Sequence, residues 1–185
     1  AYGLKDTDSF TLAVAAPKNV TVSSPTVNEA SPYAVFTVAG TAGQLVSLAF
    51  QNDSNPATVD ATLGTDAGTQ LQYFDGSNWV NYTGGTVALP SSGQLLVRNA
   101  VNNDAVYEGA ETYQLAVTPV GGNVATGTAT IVDDGTGSIY PNTTTGATDP
   151  TAALDDDRPL QIDNISVNEA SPYAVFTITA VAGQA

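Results

Sequence analysis

One eleven-residue string occurs twice in the chain. VNEASPYAVFT spans 27–37 and returns, letter for letter, at 167–177, an offset of 140 residues. Chance does not produce such a match, and self-similarity at a fixed period marks a tandem array. The repeat bounds the problem: whatever fold this is must close within about one period. The flanks agree in kind, VAGTAGQ at 38–44 against ITAVAGQ at 178–184. The division it predicts is a tail of a preceding unit or leading strand over 1–19 and one complete unit over 20–135. A linker over 136–159 and the first strand or strands of an incomplete next repeat over 160–185 follow. The chain does not begin with Met and contains none, so an internal piece of a longer chain or a processed product is expected.

Within the unit, apolar residues alternate rather than recur at helical spacing. Ala34, Phe36 and Val38 share one face of an extended run, with Tyr33, Val35 and Thr37 opposite. Val46, Leu48 and Phe50 alternate next. Leu71 and Tyr73 lead into DGSN at 75–78 and then Trp79 and Val80, which reads as a hairpin with Asp-Gly in its turn. Further runs follow at 87–89, 95–99, 113–117 and 124–132, and SFTLAVA at 9–15 reads as one more. About seven strands at this spacing predict an all-β, antiparallel, immunoglobulin-like sandwich of Greek-key type. The stretch 133–159 is rich in Gly, Thr, Asp and Pro without alternation, and reads as a linker with turns.

Charge narrows the function. Four Lys+Arg stand against 18 Asp+Glu, a formal net charge of −14. Phosphate recognition needs clustered cations, and Lys5, Lys18, Arg98 and Arg158 are scattered, so nucleic acid and anionic membrane surfaces are excluded as partners. No apolar run has the length of a membrane span, and no signal peptide is evident. Cys and His are absent, which removes disulfides, thiolate metal sites and the commonest general base. With no His to activate a Ser and no Gly-rich phosphate loop leading into a helix, an enzyme is not expected. The paired carboxylates alone would suit glycoside hydrolysis, but they gather at strand ends with no evident groove.

The carboxylates cluster at the ends of predicted strands. Glu29 precedes the first long strand, and Asp66 lies between strands. Asp104, Glu108 and Glu111 sit in NNDAVYEGAETYQL ahead of the penultimate strand, and Asp133 and Asp134 follow the last. If strands run up and down, these segments meet at one end. So many carboxylates together repel unless a hard cation sits among them, and calcium, with 6–8 oxygen ligands and tolerant geometry, suits that role. The bland alternative is that the same residues are solvated turn positions.

Four stretches resemble the Calx-beta family, in family order, over about 20–135. NNDAVYEGAETYQL resembles its central motif, VNEASPYAVFTV its first strand, LGTDA its mid-domain Gly-x-Asp and TIVDDG its terminal acidic cluster. The resemblance implies a sandwich with calcium at one end and, carried over residue by residue, Glu29, Asp66, Asp104, Glu108, Glu111, Asp133 and Asp134 as ligands. The Val106 carbonyl is a further one. Asn103 stands where the family often has an Asp, and Gly135 where some members have a third, which implies one to three ions. The chain is also similar to units of Gram-negative bacterial surface adhesins. That similarity implies an extracellular, cell-surface location, neighbouring repeats of the same polypeptide as partners, and a role as a calcium-stiffened spacer in adhesion.

Two other functions stay open. Residues 161–185 could add as a strand to a second copy, giving a self-assembling filament or surface layer. Trp79 with Tyr73, Phe74 and Tyr82 reads either as a glycan-stacking platform or as a hairpin that buries its Trp in the core. The DDD run at 155–157 reads either as a solvated linker or as a cation site shared with Glu169 of the next repeat.

Overall fold

The computed structural model describes residues 19–53, 55–182 and 184. The strand expected at 9–15, with Lys5 and Lys18, lies outside the described residues. Every element among those described is a strand, and no helix is long and apolar enough to cross a membrane.

Two sheets face each other. One contains, in spatial order, β1 (Thr21–Val22), β3 (Tyr33–Ala39), β9 (Gln94–Ala100), β6 (Gln72–Phe74) and β7 (Trp79–Asn81). The other contains β2 (Thr26–Asn28), β11 (Ala125–Val132), β10 (Glu111–Pro119), β4 (Leu45–Gln51) and β8 (Val87–Ala88), with β5 (Val59–Asp60) pairing β10. Neighbours are antiparallel except β2 on β11 and β5 on β10, which run parallel. The first strand is split: β1 pairs β3 in one sheet, and after Pro25 the chain crosses to pair β11 in the other. Proline at this break fits, since it cannot donate to either ladder. The sandwich therefore has more than the seven strands expected, because short edge pieces carried no alternation to count.

The predicted alternation describes the core. Ala34, Phe36 and Val38 are fully buried, as are Val97 of the neighbouring β9 and Tyr113, Leu115 and Val117 of the facing β10. Phe36 and Phe50 meet the Tyr113 ring edge-on, at centroid distances of 6.1 and 5.6 Å. Burying such rings on an apolar face supplies the main drive for closing the two sheets. The Tyr113 hydroxyl donates to Asn99 Oδ1 at 2.7 Å, so its polar end is satisfied inside the core. The β6–β7 hairpin forms as the sequence predicts, with Asp75 Oδ1 accepting from the Ser77 and Asn78 amides at 2.8 and 2.7 Å.

The segment 136–159 differs from the linker reading. It folds back along the sandwich as a strap. Ser138 pairs with the free edge of β2, its amide donating to Thr26 O and its carbonyl accepting from Asn28 N, both at 3.1 Å. This approach requires glycine at 137: a Cβ there would stand 2.5 Å from the Asn28 nitrogen, and φ is +89°. Further on, the strap covers the outer face of the first sheet. Asn142 Oδ1 accepts from Arg98 Nη1 at 2.9 Å, and the Thr143 carbonyl accepts from Trp79 Nε1 at 2.7 Å. Arg98 is sandwiched between Tyr33 and Trp79, 3.6 and 4.1 Å from their ring centroids. Trp79 therefore lies on this outer face beneath the strap, not in the core. Such contacts are isolated bridges rather than a ladder, so they leave no period-2 signature in the sequence.

Residues 161–182 reproduce the start of the sandwich. β12 (Gln161–Ile162) pairs β13 (Ile178–Thr179) in the register of β1 on β3, each partner shifted by 140. The Ser171 hydroxyl donates to Tyr173 O at 2.9 Å, as Ser31 does to Tyr33 O at 2.7 Å. What differs is cover. Phe36 is fully buried, whereas Phe176, its counterpart, is 56% exposed. The local hydrogen bonds of this string are therefore written in its own sequence; its burial comes from β9 and β11.

Candidate metal centre

The strand directions decide where the acids meet. β3, β5 and β10 begin, and β4, β9 and β11 end, at one end of the sandwich. The loops there are 29–32, 52–66, 101–110 and 133–135. With Glu111, the first residue of β10, they carry every acid singled out in the unit, and the structure brings most of them together. Glu29, Asp66, Glu108, Glu111 and Asp133 line one small crevice floored by Ile131. Three sets of three place one carboxylate oxygen of each member within 4.8 Å of the others: Glu29, Asp104 and Glu108; Asp66, Glu108 and Glu111; and Glu29, Asp155 and Asp157.

Four of the acids accept from backbone amides. Glu29 follows β2, its amide donating to Val132 O at 2.8 Å, and its Oε1 accepts from Asp104 N at 3.2 Å. Asp66 Oδ2 accepts from Thr62 N at 2.5 Å. Asp104 Oδ1 accepts from Val106 N at 2.8 Å, which tightens the acidic turn. Val106 itself is exposed in that turn. Asp133 Oδ2 accepts from Glu108 N at 2.7 Å and so docks the turn against the end of β11. The turn is thereby fastened to the ends of β2 and β11, because its own amides bind neighbouring carboxylates.

Asp134 is different. Its Oδ1 accepts from the amide and hydroxyl of Thr136, at 3.1 and 2.5 Å, and it joins none of the three sets. Successive residues of an extended chain face opposite ways, so Asp133 and Asp134 cannot both enter the same crevice.

The electrostatics are those of a site short of positive charge. Glu29 and Glu111 are 6% and 9% exposed. Burial pushes both carboxyls up from 4.5 to about 7; Asp104, Asp133 and Asp155 add to this at Glu29, and Asp66 and Glu108 at Glu111. Burial and then repulsion from Asp66, Asp104 and Asp133 raise Glu108 as well. The two cations among the described residues serve elsewhere. Arg98 lies under the strap, and Arg158 pairs with Asp156 at 2.5 Å. Asp133 Oδ1, in a residue 2% exposed, is buried with no hydrogen-bond partner. A buried carboxylate oxygen left so is stable only with a proton or a cation beside it.

Two participants were not foreseen in these roles. Asn28, fully buried, brackets the backbone of residue 155: its Oδ1 accepts from Asp155 N at 2.8 Å and its Nδ2 donates to Asp155 O at 3.0 Å. Nδ2 also donates to Thr136 O at 2.8 Å. This clamp carries Asp155 and Asp157 to Glu29. The DDD run thus meets the first copy's Glu29; Glu169 of the second copy is exposed and takes no part. The signal in the sequence was the alternation of Asp155 and Asp157 around Asp156, but nothing local pointed to a partner 127 residues away.

No family profile and no curated protein matches the sequence. Solved structures do. Among them are CBD domains of Calx. The chain is similar to the apo form of the Calx CBD1 domain, with TM-score 0.42 and 19% identity, over 62% of this chain and 97% of that one. It is similar to the Calx CBD2 domain, with TM-score 0.40 and 9% identity, over 60% and 84% respectively. With CBD12 from CALX1.2 the TM-score is 0.38 and the identity 20%, and the match spans 44% of that chain.

Proposed function

We propose that this chain carries a calcium-binding structural unit of an extracellular, tandem-repeat bacterial surface protein, where calcium stiffens the unit and its junction as a spacer in adhesion. One observation carries the calcium reading: eight carboxylates from five stretches of chain converge at one end, with no Lys or Arg of the described residues among them. Asp66, Glu108 and Glu111 are the set for one ion, with Glu29, Asp104 and Asp133 completing the neighbourhood. A hard cation with oxygen ligands and irregular geometry fits such a set. Millimolar extracellular calcium would keep even a modest site filled. The repeat at 27–37 and 167–177 supports the tandem arrangement, and the hairpin at 161–179 in the register of β1 on β3 supports a second unit starting there. We read the unit as non-enzymatic, since its acids serve one another and the backbone.

The test is thermal unfolding in calcium and in chelator, for the parent chain and for Glu108→Gln/Glu111→Gln. Calcium should raise the melting temperature of the parent by ten degrees or more, on the order of what about 3–4 kcal/mol of mass-action stabilisation gives. The variant should lose most of that rise. Equal melting in calcium and chelator would remove the proposal. A second reading, self-assembly by strand addition, has its own support: Val167, Tyr173, Val175, Phe176 and Ile178 leave an apolar hairpin uncovered. Polymerisation that depends on concentration and ignores calcium would favour it. No open aromatic platform supports glycan binding at Trp79, which the strap overlies.

A further inference from the structure

The strap returns to the sandwich at a second place, and the chemistry there is its own. Residues 133–135 and 155–157 pair antiparallel around the bridge Asp134 to Asp156, with Gly135 N donating to Asp155 O at 2.9 Å and Asp157 N to Asp133 O at 3.0 Å. Opposed residues of such a pair share a face, with side chains some 5 Å apart. Asp133 therefore faces Asp157, and Asp155 lies two residues along on the same face. Asp134 and Asp156 point the other way, and there Arg158 binds Asp156, its Nε donating to Oδ1 at 2.7 Å. Arg158, the cation nearby among the described residues, thus sits on the wrong face to neutralise the other three.

Like charges directly opposed on a sheet face destabilise it, yet this pairing is held firmly. The Asn28 clamp fixes residue 155, and Glu29, next in the chain, brings a fourth carboxylate to within 4.8 Å of Asp155 and Asp157 oxygens. Three buried side-chain oxygens among the described residues lack any hydrogen-bond partner: Asp133 Oδ1, Asp155 Oδ2 and Asp157 Oδ2. All three belong to this one face. A single shared proton satisfies two such oxygens at most. A cation among them satisfies all three.

We propose a second divalent-cation site, of the calcium class, built by Asp155 and Asp157 of the strap with Glu29 and Asp133 of the sandwich. It rests on the reading of this end as a calcium centre, because Glu29 and Asp133 also border the Asp66, Glu108 and Glu111 set. It adds a ligand pair from outside the sandwich, and so a different consequence. Asp133 and Asp155 are the two ends of the excursion that covers Arg98 and Trp79. An ion held between them closes that excursion as a clip. The cation then fixes the path by which the chain leaves this unit towards the repeat at 161.

The experiment counts ions. Native mass spectrometry and calorimetric titration with calcium give the number bound by the parent chain, by Asp155→Asn/Asp157→Asn and by Glu108→Gln/Glu111→Gln. The strap variant should bind one ion fewer and keep most of the calcium-dependent rise in melting temperature. The turn variant should lose ions while retaining one that the strap variant lacks. Trp79, the sole Trp, reports strap docking: part of its fluorescence response to calcium should vanish in the strap variant and survive in the turn variant. An unchanged ion count in the strap variant overturns the second site and leaves the first standing. No calcium bound by the parent overturns both. If the double variant does not fold, Asp157→Asn alone makes the same test, since its backbone bond to Asp133 is retained.

Discussion

Without calcium the fold should weaken as the pH rises through the range where most proteins are at their steadiest. The perturbation is a pH series from about 5 to about 8 in chelator, against the same series in about 5 mM calcium. Glu29 and Glu111 stand at about 7 in the fold against an ordinary value of 4.5. Between those values the native state keeps protons that the unfolded chain has released. Stability therefore falls with rising pH across that window, and the loss is complete above about 7. A rise from 4.5 to about 7 corresponds to about 3 kcal/mol for one group. The two glutamates act on one another, and water reaches the crevice mouth, so the pair is taken as about 4 kcal/mol rather than twice that figure. For a domain of this size that is a fall of roughly 10–20 °C in melting temperature. Asp53, Asp75, Asp149 and Asp156, held below the ordinary carboxylate value by hydrogen bonds, act in the opposite sense, but only below about pH 4. With calcium present the ion replaces the protons, and because protons compete with it, stability should rise through the same window. Melting followed by circular dichroism reads both curves. A chelator curve that is flat or rising from about pH 5 to about pH 8 would refute the burial and repulsion assigned to these two groups.

Three further outcomes follow from single contacts. Asn28→Ala removes three hydrogen bonds to residues 136 and 155; it should cost about 2–4 kcal/mol in chemical denaturation and expose the strap to limited proteolysis before the sandwich unfolds. Asp134→Asn keeps the Thr136 contacts and lies outside the acidic sets, so the calcium-dependent rise in melting temperature should stay within a degree or two of the parent's. Phe36→Ala should destabilise by about 3–5 kcal/mol, whereas Phe176→Ala, the same residue in the same local sequence but 56% exposed, should change sandwich stability by less than about 0.5 kcal/mol.

The contrast between those two phenylalanines shows what a sequence of this kind carries. Alternation in YAVFTVA named the core face of β3 correctly, because a half-buried strand must alternate. The Asp-Gly turn of the β6–β7 hairpin and the acidic turn before β10 were equally legible, since turn chemistry is local. The convergence of Glu29, Asp66, Glu108, Glu111 and Asp133 was legible once strands were taken to run up and down. The strap was not. Its contacts are one or two residues long, and each depends on a partner far away in the chain: Asn142 on Arg98, Thr143 on Trp79, Asp155 on Asn28. Composition alone made 136–159 a linker, and a linker's aspartates read as solvated. Asp134, a ligand by the family resemblance, joins none of the three acidic sets, because the strand continues just far enough to send its side chain and that of Asp133 to opposite faces.

The placement of Glu29 gives these pieces a common logic. It belongs both to the set with Asp104 and Glu108 and to the set with Asp155 and Asp157. It is also inside the string that the chain repeats, beside the Asn that clamps the strap. A unit opening with VNEASP therefore carries, in two consecutive residues, the ligand shared by both carboxylate sets and the amide that captures the returning chain. The second copy has the same pair, Asn168 and Glu169, with the same local hydrogen bond from the Ala170 amide to Asn168 Oδ1 at 2.9 Å. What it lacks within these residues is everything that Asn28 and Glu29 reach across to. Two residues can specify a junction only if the acidic turn, the end of the last strand and a strap of the right length are supplied by the rest of the unit. A chimera replacing 155–157 by Ser-Gly-Ser tests this directly. It should leave the core and the Asp66, Glu108 and Glu111 set intact, keep the backbone groups that Asn28 binds, and uncouple calcium from the environment of Trp79 by removing the strap carboxylates. If Trp79 still responds to calcium as in the parent, the strap is docked by its backbone contacts alone, and the carboxylates of Asp155 and Asp157 have no part in transmitting the ion.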